Sequence, residues 1–333
     1  MIKKIAEKIQ KKAHFIRVAA HVSPRLALLN MIPSVYNVCP EFFKKSTIDM
    51  CMAYVRKHYS YVAERHLALT PTGEPVKDDC PIFVCWLQGE EAMPPVVKAC
   101  FESIKHFAQN HPVVLITSEN LSQWVAIPDH ILRKVGEGKI THAHFSDIIR
   151  ANLIAKYNAI WLDATIYLTA PLNWPAAPYH TLKWLSATGY PISFSGYSPV
   201  CKGQPGCNRW ATFCLGGDGG GLCSFLADAF SEYWKNEDIL IDYAWFDDFI
   251  ELAYEMLPQV KKAIDAVPLC SEHTWYFTHH FADTFDKDVI GKILSEQSIF
   301  IVSRKVVEDP YTLPENTLYR MIVDGTLLSS LGK

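Results

Sequence analysis

Residues 144–165 of this chain read HFSDIIRANLIAKYNAIWLDAT. Ser146, Asp147 and Arg150 stand early in a predicted helix, and a short apolar run after the helix leads to Asp163. A helix followed by a buried strand is the repeating unit of layered α/β domains. Because the helix start and the strand end both carry polar side chains, we expect them to converge on a pocket for a charged, hydroxyl-rich ligand.

Two further apolar runs of strand type precede this stretch, PIFVCW at 81–86 and PVVLIT at 112–117, with a helix predicted between them. The run AIWLDATIYL at 159–168 is apolar enough to be buried on both faces, as inside a parallel or mixed sheet. This order predicts an α/β domain whose Rossmann-like mixed sheet is flanked by helices. Ligands of such sheets bind beyond the carboxyl ends of the strands, where residues 86–89 and Asp163 lie.

Composition argues against several classes of protein. A net charge of −3 and the lack of an arginine-rich stretch argue against a nucleic-acid partner. No window holds the roughly 18 apolar residues that a transmembrane helix needs. The charges scattered through the N-terminus do not match a secretory signal, so we expect a cytoplasmic protein. The ten cysteines form no C-x-x-C pair, which gives a zinc site no support and favours buried, reduced thiols.

The N-terminal 25 residues carry seven lysines and arginines and a single glutamate, with apolar residues at helical spacing. This amphipathic helix either packs on the body of the protein or makes peripheral contact with the inner face of an anionic membrane.

A linker-like segment, TPTGEP, occupies 70–75. We therefore expect an N-terminal helical extension at 1–79, a main α/β domain at 80–310 and a C-terminal tail at 311–333.

The polar residues of the opening stretch also have structural explanations. Ser146 is predicted to cap the helix, and Asp147 to interact favourably with its positive end. Arg150 is not explained in this way, because a cation near a helix N-terminus is unfavourable without a partner. It either pairs with an acid or binds phosphate and sugar hydroxyls. Asp163 is either a surface residue at a strand end or a ligand of a hard divalent cation.

Three motifs in order carry a family resemblance: W-x-Q-G at 86–89, S-D-x-x-R at 146–150 and Y-N-A-x-W-x-D-A-T at 157–165. They resemble the capsular polysaccharide synthesis branch of the glycosyltransferase family 32 group, over about residues 80–305. The resemblance implies a GT-A-type fold, a nucleotide-sugar donor and transfer with retention at the anomeric carbon. It makes the chain a hexosyltransferase of capsular or surface polysaccharide synthesis, with a UDP-hexose favoured as donor and a glycan or lipid-linked glycan as acceptor.

Roles for individual residues follow from the resemblance. The implied catalytic residues are Asp163, Arg150 and Asp147. The implied donor-binding residues are Trp86, Gln88, Ser146, Asp147, Arg150 and Thr165. Asp163 would also hold a divalent metal, Mn²⁺ or Mg²⁺, as the first acid of the family's metal-binding motif. Thr165 stands where that motif has its second acid, and a hydroxyl is a weaker metal ligand than a carboxylate, so metal dependence is left open.

Two other functions stay open. A non-catalytic relative that binds nucleotide or glycan is favoured by the Thr165 departure. A sugar-phosphate nucleotidyltransferase is disfavoured, because residues 86–98 lack a glycine- and lysine-rich triphosphate loop.

The glycine cluster at 216–221 is interpreted as a turn between a sheet and a helix. The weaker candidates for contacts with metal, phosphate or acceptor are Asp247, Asp248, His279, His280, Trp245 and Trp275.

Overall fold

The computed structural model describes residues 13, 16–24, 40–69, 71, 73–185, 207–208, 214–241, 245–268 and 272–332. Its α-helices are α1 (Pro40–Leu67), α2 (Pro95–Phe107), α3 (Leu121–Trp124), α4 (Asp129–Gly136), α5 (His142–Tyr157), α6 (Leu222–Asn236), α7 (Trp245–Met256), α8 (Pro258–Ala266), α9 (Tyr276–His279), α10 (Lys287–Glu296) and α11 (Leu318–Val323). Its strands are β1 (Ile82–Cys85), β2 (Val113–Ile116), β3 (Ile160–Leu162), β4 (Ile166–Leu168), β5 (His180–Thr181), β6 (Trp184–Leu185), β7 (Cys207–Asn208), β8 (Cys214–Gly216) and β9 (Ile299–Ile301).

Five strands form the central sheet in the order β2-β1-β3-β8-β5. Strand β1 is parallel to both β2 and β3, whereas β8 runs antiparallel between β3 and β5. This mixed, mostly parallel sheet flanked by helices confirms the predicted α/β layering. Because β1 and β3 run in the same direction, Trp86 and Asp163, which follow them, lie at one edge of the sheet.

Strand β3 is buried on both faces, as its apolar sequence predicts. Trp161 packs into one core with Phe83 and with helices α5, α6 and α7. Ile160 and Leu162 point the other way, into a second core with α2, α11 and the β4–β9 pair. The cysteines whose side chains are described are thiols, and all but Cys85 are buried: Cys51, Cys80, Cys85, Cys100, Cys214 and Cys223.

Helix α5 begins at His142, earlier than the sequence pattern suggests. Thr141 is its N-cap: the Thr141 backbone is extended, and its Oγ1 accepts a hydrogen bond of 3.3 Å from the backbone N–H of His144. The predicted cap at Ser146 is therefore wrong. Ser146 already has helical backbone, and its Oγ donates to the carbonyl of Ala143 at 2.7 Å.

The early start of α5 moves the candidate site residues Asp147 and Arg150 away from the helix terminus. Asp147 lies in the second turn and Arg150 in the third, where the influence of the helix dipole is small. The helix ends at Asn158, whose φ of 47° and ψ of 49° are left-handed, a conformation that asparagine tolerates. The backbone of Ala159 has no positive φ, and β3 starts at the next residue, Ile160.

The glycine cluster between β8 and α6 is a tight turn, as the sequence predicts. Four of its glycines have positive φ: Gly217, Gly219, Gly220 and Gly221. At Gly217 a Cβ atom would lie 2.1 Å from the carbonyl oxygen of Pro178, so only glycine lets these two chain segments meet. Asp218 stabilises the turn by accepting hydrogen bonds of 2.9 Å from the backbone N–H and from the Oγ of Ser224.

Helix α1 packs into the first core against α6 and α7. The buried carboxylate of Glu237 accepts hydrogen bonds from Tyr54 and Tyr59 of this helix, and it lies 2.7 Å from His21 Nε2. Most of the basic N-terminal segment lies outside the described residues. The predicted membrane contact through residues 1–25 therefore concerns residues that are mostly not described. Within the described ranges, no helix combines the length and the apolar character that crossing a bilayer requires.

Candidate functional site

The structure brings Asp147, Arg150 and Asp163 together. Arg150 is 3% exposed, and its Nη2 donates to Asp163 Oδ1 at 2.8 Å. Asp147 Oδ1 lies 3.4 Å from the same nitrogen. Arg150 thus pairs with both acids, which is the first of the two roles expected for it from the sequence. The geometry makes these three residues one electrostatic unit at the edge of the sheet.

Aromatic rings fix the guanidinium of Arg150. Its Cζ lies 5.0 Å from the ring centroid of Trp161 and 5.3 Å from that of Phe246. Trp161 Nε1 also donates to Asp163 Oδ1 at 2.7 Å, so this indole positions both members of the ion pair. Attraction of a cation to aromatic faces is strongest where water is excluded, as it is here. The site therefore holds a rigid, desolvated positive charge, and Phe246 of α7 is part of it.

Two donors of Arg150 are not used by the described residues. The buried Nε and Nη1 atoms have no hydrogen-bond acceptor in the part of the chain that the structure describes. An unsatisfied buried donor costs about 1–3 kcal/mol, and more when it belongs to a charged group. A ligand that brought phosphate or hydroxyl oxygens to these buried N–H groups would supply the acceptors that they lack.

The end of β1 lies beside this unit. Burial raises the pKa of the Cys85 thiol, and the charges of Asp163 and Arg150 act on it in opposite directions. Trp86 follows Cys85, and its ring lies under the guanidinium of Arg304, whose Cζ is 5.7 Å from the ring centroid. Arg304 follows β9 and carried no local signal in the sequence. The indole at 86 and the carboxylate at 163 thus follow strands that end at the same edge, and the guanidinium at 150 reaches that edge from the third turn of α5.

The other predicted donor-binding residues lie around this centre. Thr165 is half-buried, and its carbonyl accepts a hydrogen bond of 2.9 Å from the backbone N–H of Val302. Gln88 is exposed, and its Nε2 donates to His142 Nδ1 at 3.3 Å. The Ser146 hydroxyl donates its hydrogen to the carbonyl of Ala143, in the preceding turn of α5. These three side chains are near the site without contacting Arg150.

Two of the weaker candidates, Trp245 and His280, have contacts that give them a structural role. Trp245 is fully buried among Phe230, Trp234 and Phe249, which places it in the core rather than in an acceptor site. The imidazole of His280 stacks on a tyrosine ring, and its Nδ1 lies 2.7 Å from a carboxylate oxygen of Asp283. The remaining residues of this group also have interaction partners: Asp247, Asp248, His279 and Trp275.

The side chains at the site do not form a metal site by themselves. Within the described residues, no group of three or more histidines, cysteines, aspartates and glutamates is arranged to hold a metal ion. The two acids present, Asp147 and Asp163, both face the positive charge of Arg150. Thr165 adds only a hydroxyl. The donor set is thus poorer than the oxygen-rich set that Mn²⁺ or Mg²⁺ prefers.

Asp147 is expected to make stability depend on pH. Burial raises its pKa from 3.8 to about 7, with Asp163 adding to the rise and Arg150 opposing it. Between pH 3.8 and about pH 7, the folded state therefore keeps a proton on Asp147 that the unfolded state has lost. The contribution of Asp147 to the free energy of unfolding is present below pH 4 and is lost as pH rises to about 7. Between about pH 5 and pH 8, the free energy of urea unfolding should fall more for the wild type than for Asp147→Asn. Parallel losses in the two proteins would contradict this.

Comparison with known proteins adds the family. The family of capsular polysaccharide synthesis proteins matches residues 40–321. A curated relative, the O-glycosyltransferase braB of Annulohypoxylon truncatum, is 24% identical over 208 residues, which cover 54% of this chain and 49% of the relative. This chain thus spans about half the length of that relative. No solved structure matches this chain. Because the family match takes in the central sheet and the Arg150–Asp163 pair, the chain belongs to the capsular polysaccharide synthesis protein family.

Proposed function

We propose that this protein is a glycosyltransferase with a GT-A-type arrangement, which transfers a hexose from a nucleotide sugar to a glycan or lipid-linked glycan acceptor. The family and the curated O-glycosyltransferase relative support a transferase of polysaccharide synthesis. The observation that carries the proposal is the buried Arg150, fixed by Trp161 and Phe246, with two N–H groups unused by the described residues. Such a group suits a ligand that is both anionic and rich in oxygen.

Each residue has a role in this proposal. Arg150 binds the oxygens of the diphosphate and of the donor sugar, and it stabilises the negative charge that grows on the leaving group. Asp147 accepts a hydrogen bond from a sugar hydroxyl, and Asp163 holds the guanidinium in place. Trp86 offers a ring face at the position proposed for the base of the donor, for which UDP is favoured. Lipid-linked acceptors would place the protein at the inner face of the membrane.

The proposed reaction retains configuration at the anomeric carbon. The bond between that carbon and the diphosphate breaks with its electron pair passing to the phosphate oxygen. The acceptor hydroxyl attacks from the same face, and its proton passes to the departing diphosphate. No second carboxylate at glycosidase spacing is needed for this course. The residues of the site therefore act by orienting the donor and by stabilising charge rather than by forming a covalent bond.

A ligand screen tests the function. A compound that binds only the folded state raises stability with the logarithm of its concentration over its dissociation constant. We expect a UDP-hexose to raise the melting temperature of the full chain and to be hydrolysed slowly without acceptor. Asp163→Ala should abolish that hydrolysis, whereas Asp288→Asn, an exposed acid on α10, should not change it.

The same screen separates the alternatives. Binding without turnover, unaffected by Asp163→Ala, would favour a non-catalytic nucleotide- or glycan-binding relative. Formation of a nucleotide sugar from a nucleoside triphosphate would favour a nucleotidyltransferase. If no nucleotide sugar from a panel of UDP-, GDP-, ADP- and CMP-linked sugars shifts the melting temperature, the proposed function is wrong.

A further inference from the structure

We infer that two arginines, Arg150 and Arg304, neutralise the diphosphate of the donor and that no divalent metal is required for this. The inference rests on the proposed function, because it concerns how the same site handles the charge of the leaving group. It departs from the resemblance, which implies Mn²⁺ or Mg²⁺ at Asp163. It also gives a role to Arg304, a residue outside the three sequence motifs.

Asp163 is already engaged by other side chains of the protein. Its Oδ1 already accepts two hydrogen bonds, from Arg150 Nη2 at 2.8 Å and from Trp161 Nε1 at 2.7 Å. A divalent cation on its other oxygen would lie within a few ångströms of a buried guanidinium, where charges of like sign repel strongly. Asp147 is already paired with the same guanidinium, its Oδ1 lying 3.4 Å from Arg150 Nη2.

Further metal ligands are lacking around Asp163 among the described residues. Thr165 stands two residues after Asp163, on the same turn, and offers a neutral hydroxyl. In the described ranges of the chain, no third histidine or acid joins Asp147 and Asp163 to make a metal-binding group. Mg²⁺ bound to substrate phosphates still needs one or two carboxylates that are available to it. One oxygen of each carboxylate here is already paired with Arg150.

Arg304 stands three residues after the end of β9. Val302 donates to the carbonyl of Thr165, so the chain leaving β9 runs beside the turn that carries Asp163. Two residues later, the guanidinium of Arg304 lies over the ring of Trp86. The Arg304 side chain is exposed, and it forms no ion pair with any acid of the described residues. An aromatic face holds an arginine while leaving its planar N–H groups able to bind phosphate in a bidentate manner.

Together the two arginines supply two positive charges, the same number as a divalent cation. In the transfer step, the bond from the anomeric carbon to the β-phosphate oxygen breaks and its electron pair stays on that oxygen. The acceptor oxygen forms the new bond, and the acceptor proton ends on the released nucleoside diphosphate. Arg150 and Arg304 hold the charge that develops, so the step balances without a metal.

Calorimetric titration of the full chain with UDP tests the inference, with GDP, ADP and CDP as further probes. We expect the best-binding nucleoside diphosphate to bind in EDTA with a dissociation constant within about threefold of that in Mn²⁺. Arg304→Gln should weaken this binding by about tenfold, or about 1.4 kcal/mol, and Arg304→Lys by less. Binding of the corresponding nucleoside, which has no phosphate, should change little. Arg133→Gln, an exposed arginine on α4, serves as the matched control.

The outcomes separate this inference from the proposed function. If a nucleoside diphosphate binds only when Mn²⁺ or Mg²⁺ is present, the site uses a metal and the inference is wrong, while the proposed function stands. If Arg304→Gln binds as tightly as the wild type, the role of Arg304 is wrong. If none of the four probes binds under either condition, the proposed function fails and the inference fails with it.

Discussion

Replacing Arg150 by methionine is expected to lower sugar transfer by about 10²–10³-fold and the free energy of unfolding by about 3–5 kcal/mol. Methionine fills the space between the rings of Trp161 and Phe246 but removes the charge that lies between them. Asp163 and Asp147 would then lose the cation that both of them face. Removing one partner of a buried ion pair lowers the free energy of unfolding by more than the intact pair adds to it, because the remaining charge stays desolvated.

Two variants separate the effects on stability and on chemistry. Arg150→Lys keeps the charge but loses the planar set of donors, so we expect it to recover most of the stability and little of the transfer activity. Arg133→Met removes an exposed arginine and should leave both quantities unchanged. Urea unfolding followed by fluorescence measures stability, and release of nucleoside diphosphate measures transfer. A stable Arg150→Met protein with normal transfer would contradict the assigned site.

Much of the layered fold could be predicted from sequence because its signals are local. The apolar runs at 81–86 and 112–117 and the one that ends at Leu162 are the three parallel strands of the sheet. Residues that follow parallel strands meet at one edge by geometry alone. The proximity of Arg150 and Asp163 could therefore be predicted from strand order and helix direction without any knowledge of distant contacts.

Other parts of the site could not be predicted because they depend on distant segments of the chain. Phe246 reaches Arg150 from α7, and Arg304 reaches Trp86 from beyond β9. Neither residue belongs to a local pattern, since one phenylalanine in an apolar helix resembles any other. The start of helix α5 was predicted wrongly for a different reason, which is local. Thr141 and Ser146 are both good caps by residue type, and only the backbone conformation at Thr141 decides between them.

The glycine cluster supplies a second large effect, this time on folding. Gly217→Ala is expected to lower the free energy of unfolding by more than about 3 kcal/mol. The φ of Gly217 is +83°, which alanine adopts only with strain. The added Cβ would also lie 2.1 Å from the carbonyl oxygen of Pro178, a backbone atom that cannot rotate away as a side chain can. Strand β8 and the segment before β5 would have to separate.

A matched substitution at Gly136 distinguishes this clash from a general effect of removing glycine. Gly136 is the last residue of α4, its φ is not positive, and a Cβ atom added there would meet no other atom within 4 Å. Gly136→Ala should therefore leave stability unchanged or raise it by about 0.5–1 kcal/mol, since alanine favours helix and restricts the unfolded chain. Thermal unfolding of both variants beside the wild type measures the difference. Equal melting temperatures for Gly217→Ala and Gly136→Ala would show that the contact with Pro178 does not constrain the turn, and that the cluster tolerates side chains.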